Sequence, residues 1–339
     1  MAITRIYQSG AENGLGEILS QGVTTLRSDA ARTGTYYFRA DAHNNESVYW
    51  NIPDTRQVRA GQAMRWNSFG TLSGGDHMIV HDGVTKLIEV EPVIANGNLL
   101  LKVAGVQQDV TIDTPCAIPD IWYHLAMDCK IDNVAGWAYV YLDGVLILSF
   151  DGNTGNVNVD RIRFGTRTDV GVGPFYFDVD DVYIDDTTGE AGPEPPPILR
   201  FYPVRPNGNG NYSQWDGSDG NQVDNYLLVD EVLPNGDTDY VETDTVDEFD
   251  SYDMSTIVLD SNEEIMAVIP IVNAKHTDGT EEIAVGTRLA GTNLVGADQV
   301  PGIAYAFFWE RQTAKPGGGA WGQNDINDFE VLLKSRGTY

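Results

Sequence analysis

Short apolar runs broken by Gly, Asn, Asp and Pro recur along the whole chain at intervals of roughly 8–14 residues. Thr35–Ala40, Ala63–Phe69, Lys86–Val93 and Trp122–Lys130 are rich in β-branched or aromatic residues and predict strands. The clearest local signal is Trp137–Phe150, where two apolar runs flank Asp143-Gly144. That dipeptide tolerates positive φ at both centres of a type I′ hairpin turn. Strand alternation places Trp137, Tyr139 and Tyr141 on one face and Ala138, Val140 and Leu142 on the other. Both faces are apolar, so both need cover, which predicts an antiparallel sandwich.

The second half predicts strands over Asn225–Val232, Asp239–Thr243, Ser255–Leu259, Glu264–Asn273, Glu281–Arg288 and Ala304–Trp309. Ile265–Val272 is continuously apolar and reads as a buried central strand, with Pro270 marking a bulge or an edge. Helix is scarce. One turn around Asn324–Asp328, with Asn324 as its cap, leads into a closing strand Phe329–Lys334; an amphipathic helix through Asn324–Lys334 competes with it.

Gly189–Pro197 ends in three consecutive prolines, which exclude a helix interior or a central strand. The expected architecture is all-β: two antiparallel β-sandwich, jelly-roll-like domains, 1–188 and 198–339, joined by the Pro-rich linker 189–197. At 339 residues and 42% apolar content, the chain has the means to fill such cores.

The net charge of −29 is spread over both halves: 26 acidic and 13 basic residues precede Ile198, and 24 and 8 follow. Such a surface repels phosphates, so nucleic acid is disfavoured as a partner. No run approaches the ~18 apolar residues of a membrane helix. The N-terminal residues lack the apolar core of a signal peptide. Cys116 and Cys129 read as small buried thiols, a single bridge remaining open.

A glycosidase would need two carboxylates across a cleft. Asp178 and Asp180 share a strand face, but Tyr183 stands where the second acid is required. Catalysis is therefore not expected. Asp178, Asp180 and Asp181 are instead candidate ligands for Ca²⁺ at a sheet rim; no cofactor is required by the reading. His77 and His81 are four apart on a strand, too far for one zinc ion. Nucleotide and nucleophile-elbow motifs are absent. Trp50, Trp66, Trp137, Trp215, Trp309 and Trp321 are read as core residues before sugar platforms. The loops Ser68–Asp76 and Asp151–Asn158 offer one aromatic, so Phe69 and Asp76 are the glycan-binding candidates.

Several pieces of Ile121–Asp186 resemble a concanavalin A-like, laminin G-type sandwich: Trp122-Tyr-His-Leu125, Gly136–Leu146 with its Asp-Gly turn, Arg163-Phe-Gly165 and Phe175–Asp185. Such domains serve as lectins, adhesion modules and viral surface proteins. The second half resembles a β-rich module of tailed-bacteriophage structural proteins, through Tyr202–Trp215, Asp230–Tyr240 and Trp321–Asn327 followed by Phe329–Lys334. That resemblance implies a non-enzymatic structural protein on the outer surface of a virion, as head decoration or tail component. Its partners would be other capsid or tail proteins and further copies of itself, with a trimer as the first expectation. The alternative is an adhesin recognising a host-surface glycan.

Eight carboxylates and no cation fall within Asp237–Asp253. A solvated face suffices to tolerate them. If the run docks on a particle, Asp247, Phe249, Asp250 and Tyr252 are the candidate contacts.

Overall fold

A computed structural model describes residues 4–11, 19–21, 24–41, 47–66, 75–93, 98–111, 120–167, 176–277 and 281–337. Two compact units, Met1–Pro203 and Val204–Tyr339, divide the chain. The first unit begins with β1 (Thr4–Ser9), β2 (Leu19–Gln21), β3 (Thr24–Arg27), β4 (Tyr37–Asp41), β5 (Ser47–Thr55), β6 (Gln57–Trp66), β7 (Gly75–Asp82) and β8 (Thr85–Val93). It continues with β9 (Asn98–Val103), β10 (Val106–Val110), β11 (Tyr123–Lys130), β12 (Gly136–Leu142), β13 (Val145–Gly152), β14 (Val159–Arg167) and β15 (Tyr176–Asp186). An eight-stranded sheet runs β13-β12-β11-β6-β15-β4-β3, with β1 added to β15. A seven-stranded sheet runs β10-β9-β8-β7-β14-β5-β2.

The two sheets form the sandwich that the alternation predicts. Val58, Ala60, Met64 and Trp66 of β6 and Leu125 and Met127 of β11 share one core with Val48 and Trp50, Met78 and Val80, Leu99 and Leu101, and Ile162 and Phe164. The Asp143-Gly144 turn joins β12 to β13 with both residues at positive φ, 48° and 80°. Cys129 is a buried free thiol; Cys116 lies outside the described residues.

The eight-stranded sheet is buried on its outer face as well. All ten residues of β6 are buried, although every second one points away from the core. Gly61 leaves space for the Tyr183 ring, and Arg59 is paired with Asp128 at 3.0 Å and Glu190 at 2.7 Å. Arg5 pairs with Asp185 beside it. The segment expected to be a linker is hydrogen-bonded along this face. The Glu194 amide donates to Asp128 (2.8 Å), Tyr183 donates to the Pro197 carbonyl (2.8 Å), and the Phe201 amide donates to Asp181 (2.9 Å). Its prolines carry no N–H to satisfy, so the few remaining polar groups are the ones the sheet's side chains meet. The division between units accordingly falls after Pro203 rather than at residue 188.

The second unit comprises β16 (Pro206–Ser213), β17 (Asp216–Gly217), β18 (Val241–Glu242), β19 (Phe249–Met254), β20 (Ile271–Ala274), β21 (Glu282–Leu289), β22 (Thr292–Gln299), β23 (Ala306–Trp309), α1 (Gln323–Asp328) and β24 (Glu330–Arg336). An antiparallel sheet β16-β19-β24-β21-β22 and the ribbons β17-β18 and β20-β23 surround a core of Trp215, Tyr252, Val285, Trp321, Phe329 and Leu333. The single helical turn and the strand after it settle that alternative. Its N-cap is Gly322, whose amide donates to the Asp325 side chain at 2.9 Å, and not Asn324. Three expected strands differ. Asn225–Leu228 is a 3₁₀ turn, and 255–259 is irregular. Ile265–Val272 is no central strand: Val268 makes an isolated bridge to Gln312, Ile271 and Val272 belong to the two-stranded β20-β23 ribbon, and Met266 is 58% exposed. Pro270 cannot donate to a ladder, and β24 fills the sheet centre instead.

An added Cβ at Gly61 would lie 2.5 Å from Tyr183 Cζ, so Gly61→Ala must displace the ring that anchors Pro197. We expect a loss of about 1–3 kcal/mol in urea unfolding followed by circular dichroism. Tyr183→Phe, which keeps the ring and loses one buried bond, should cost about 1 kcal/mol.

Candidate functional site

The three carboxylates that the sequence offers for Ca²⁺ are fully buried, and protein donors use all six of their oxygens. Asp178 accepts from Arg39 at 2.6 and 2.9 Å and from Arg65 at 2.7 Å. Asp180 accepts from the backbone amides of Arg32 (2.9 Å) and Asp181 (2.8 Å). Asp181, at a positive φ of 47°, accepts from Arg32 Nη1 (3.1 Å), Thr33 Oγ1 (2.5 Å) and the Phe201 amide (2.9 Å). Burial pushes the Asp178 and Asp180 carboxyls upward, for Asp180 reinforced by Asp181. The trio anchors residues 32–33 and 201 and two arginines, so the geometry does not fit a Ca²⁺ site. Arg65 lies 4.7 Å over Trp122 and Arg39 3.5 Å over Tyr176. Trp122 is half-buried here, an aromatic that sequence reasoning left out of its tryptophan candidates.

The outer face of the seven-stranded sheet is chemically different. Cross-strand register sets Tyr49 (β5), Arg163 (β14), Ile79 (β7), Glu89 (β8) and Lys102 (β9) in one row. The adjacent row holds Asn51, Arg161, His81 and Lys86. On the β8–β9 side every charge is paired. Lys86 bridges Asp76 (2.7 Å) and Glu89 (2.6 Å), and Lys102 pairs with Glu91 (2.5 Å). Oxygens of Asp76, Glu89 and Glu91 come within 4.8 Å of one another, a spacing that would suit a cation, but each of the three carboxylates is already paired with one of the two lysines. Asp76, expected on a glycan loop, thus ends a buried strand and is 3% exposed. Its carboxyl is pushed up to about 6 by burial, with Lys86 opposing and Glu89 and Glu91 reinforcing. Phe69 lies outside the described residues.

On the β5–β14 side the charges do not cancel. Arg161 lies 4.8 Å and Arg163 5.5 Å from the Tyr49 ring centroid. Arg161 Nε donates to Asn51 at 2.9 Å. Among the described residues no carboxylate pairs with either arginine. Arg163 Nε and both ring nitrogens of His81 are buried without a hydrogen-bond partner. Burial, then Arg163, Arg161 and Lys86, push His81 down to about 4, so it is neutral near pH 7. Its zinc-like spacing to His77 leads nowhere, since His77 stacks between Trp66 and Phe177. Buried polar atoms without partners are uncommon enough to need a reason, and these three share one patch.

The acidic run of the second unit is mostly engaged within the chain. Asp247 pairs with Lys334 at 2.6 Å, and Asp237 with Lys275 at 2.5 Å. Asp250 is buried, accepting from Tyr252 (2.6 Å) and Asn225 (3.0 Å), and Tyr252 belongs to the core. Phe249 stacks on Tyr212 beneath Lys334. Asp250 and Tyr252, at 0% and 3% exposure, are out of reach of a docking partner.

No family model matches this chain, and no curated protein does. Solved structures give distant similarities. A cellulose-induced protein is 12% identical over 53% of this chain and 97% of its own, with a TM-score of 0.39. The binding domain of botulinum neurotoxin serotype D is 12% identical over 54% of this chain, with a TM-score of 0.38. The chain spans 48% of that toxin domain. A protein of unknown function with a galectin-like fold from Bacillus subtilis is 11% identical over 54% of this chain and 96% of its own, with a TM-score of 0.38.

Asp76 supplies a pH test of the charge cluster. Its raised folded value, against about 3.9 when unfolded, means the folded state holds the proton more tightly. Its contribution to stability is full below about pH 4 and is lost as pH rises through about 6. Asp76→Asn should therefore remove a decline on the order of 2 kcal/mol between pH 4 and 7 in denaturant midpoints. Equal pH slopes in both proteins would contradict it.

Proposed function

We propose that the first unit is a non-catalytic glycan-binding module that presents the outer face of its seven-stranded sheet to a saccharide. The observation that carries this reading is the patch of unpartnered buried nitrogens on His81 and Arg163 beside the half-buried Tyr49 ring. A saccharide offers what the patch lacks, hydroxyl acceptors for the nitrogens and C–H surface for the ring. The proposal includes no reaction: the buried aspartates of β15 are committed to arginines and loop amides, as above. A glycan array with wild type and Tyr49→Ala tests it. Binding to a defined glycan class, weakened at least about tenfold by Tyr49→Ala, is expected; no glycan bound at all would remove the reading.

A second reading concerns the other unit and is compatible with the first. Val258, Met266, Ile271, Val300, Ile303 and Trp309 are exposed there, Ile271 and Trp309 as a direct cross-strand pair on the β20-β23 ribbon. Exposed large apolar groups of this kind favour assembly. Together with the resemblance of this half to tailed-phage structural modules, they support a role as an outer virion component, built from several copies of the chain. A homo-oligomer should appear in light scattering and dissociate in Ile271→Asp/Trp309→Asp, and the chain should be found in purified particles by mass spectrometry. A monomeric wild type absent from particles would exclude this reading.

A further inference from the structure

We propose that the Arg161–Arg163–His81 patch is an anion site, and that the saccharide bound on this face carries a carboxylate or sulfate group. The inference rests on the glycan reading for its ligand, while the anion site itself stands on the geometry alone.

The first argument is charge balance. This chain has 50 acidic and 21 basic residues, so a cation has carboxylates to choose from. Arg5, Arg32, Arg39, Arg59 and Arg65 each pair with at least one, and so do Lys86 and Lys102 on the same face as the patch. Arg161 and Arg163 face each other's charge two residues apart on β14, and among the described residues neither has a carboxylate partner. Burial and the Arg161 charge work against the Arg163 cation, and Tyr49 and the Asp76 carboxylate offset them only in part. An arrangement that costs stability in this way is relieved by a bound anion.

The second argument is hydrogen bonding. His81 is 3% exposed and sits in register between Arg161 on one neighbouring strand and Lys86 on the other. In the neutral ring one nitrogen is a donor, and neither nitrogen has a partner. Arg163 Nε, a donor only, is also unmatched. An oxyanion accepts from both and from the guanidinium forks, the geometry for which arginine is suited. His124 provides the contrast. It too is buried with both nitrogens unpartnered, but Arg32 beside it is already paired with Asp181, so no uncompensated charge accompanies it.

The third argument is placement. Tyr49 holds both arginine side chains against its ring. Arg161 is further fixed by Asn51. The donors are thus largely ordered before any ligand arrives, which lowers the cost of binding.

The test titrates the full chain with three probes: tetragalacturonate, its methyl ester and inorganic sulfate. Calorimetry should show the acid binding at least about tenfold tighter than the ester, and sulfate should raise the melting temperature of wild type. In Arg161→Gln/Arg163→Gln the preference for acid over ester should vanish together with the sulfate shift. The acid–ester comparison in wild type needs no variant, so a folding defect in the double mutant leaves the test intact. Stabilisation by sulfate alone, lost in the variant, would uphold the anion site while removing the glycan reading. Equal affinity for acid and ester, or no effect of any anion on wild type, would overturn the proposal.

Discussion

Tyr183 lying over Gly61 is the contact on which the first unit depends. It lets an apolar ring cover the middle of a sheet whose other face is already the core, and its hydroxyl holds the Pro197 carbonyl. Once that face is closed, the charges on the same strands are cut off from water. Arg59, Asp128, Asp178, Asp181 and Asp185 must then be matched inside the protein, because an unpaired buried charge costs several kcal/mol. Each is matched, and the matching partners are what give the unit its definite outline: Arg5 on the first strand, the loop at Arg32 and Thr33, and the segment from Glu190 to Phe201.

The two outer faces of the sandwich therefore differ in kind. On the eight-stranded sheet the charged groups are paired with one another or bind the chain's own backbone, so the face is structural. On the seven-stranded sheet the β8–β9 half behaves in the same manner through Lys86 and Lys102, while the β5–β14 half leaves donors without acceptors. Identical principles of burial and pairing thus separate a face of matched internal charge from a patch of unmatched donors.

The sandwich was legible in the sequence because alternation reports which side of a strand is buried: Trp137–Phe150 and its Asp-Gly turn fold as the pattern indicates. The ends of β6 and β15 were less legible, since Arg, Asp and Gln on an outer face look solvent-exposed until the covering segment is known. Asp178, Asp180 and Asp181 read as Ca²⁺ ligands in the sequence because composition does not show that Arg39, Arg65 and the Arg32 amide already hold them. Ile265–Val272 misled because an unbroken apolar run looks the same in a partly exposed segment as in a core. The arginine patch was missed for a plainer reason. Arg161 and Arg163 are ordinary alternating residues of a strand, and only cross-strand register brings Tyr49 and His81 to them; the one available signal was two cations spaced two apart in a strongly acidic chain.

The residues past the last strand of the sandwich also govern when the unit is able to finish folding. During synthesis, β15 leaves the ribosome before Pro197 and Phe201 do. Until those residues emerge, Asp181 and Asp128 each lack one of their partners, and the Tyr183 hydroxyl lacks its acceptor. The sheets are free to pair earlier, but the outer face stays wet and incomplete. The first unit is thus completed only as the chain begins the second, which ties the timing of one fold to the translation of the next.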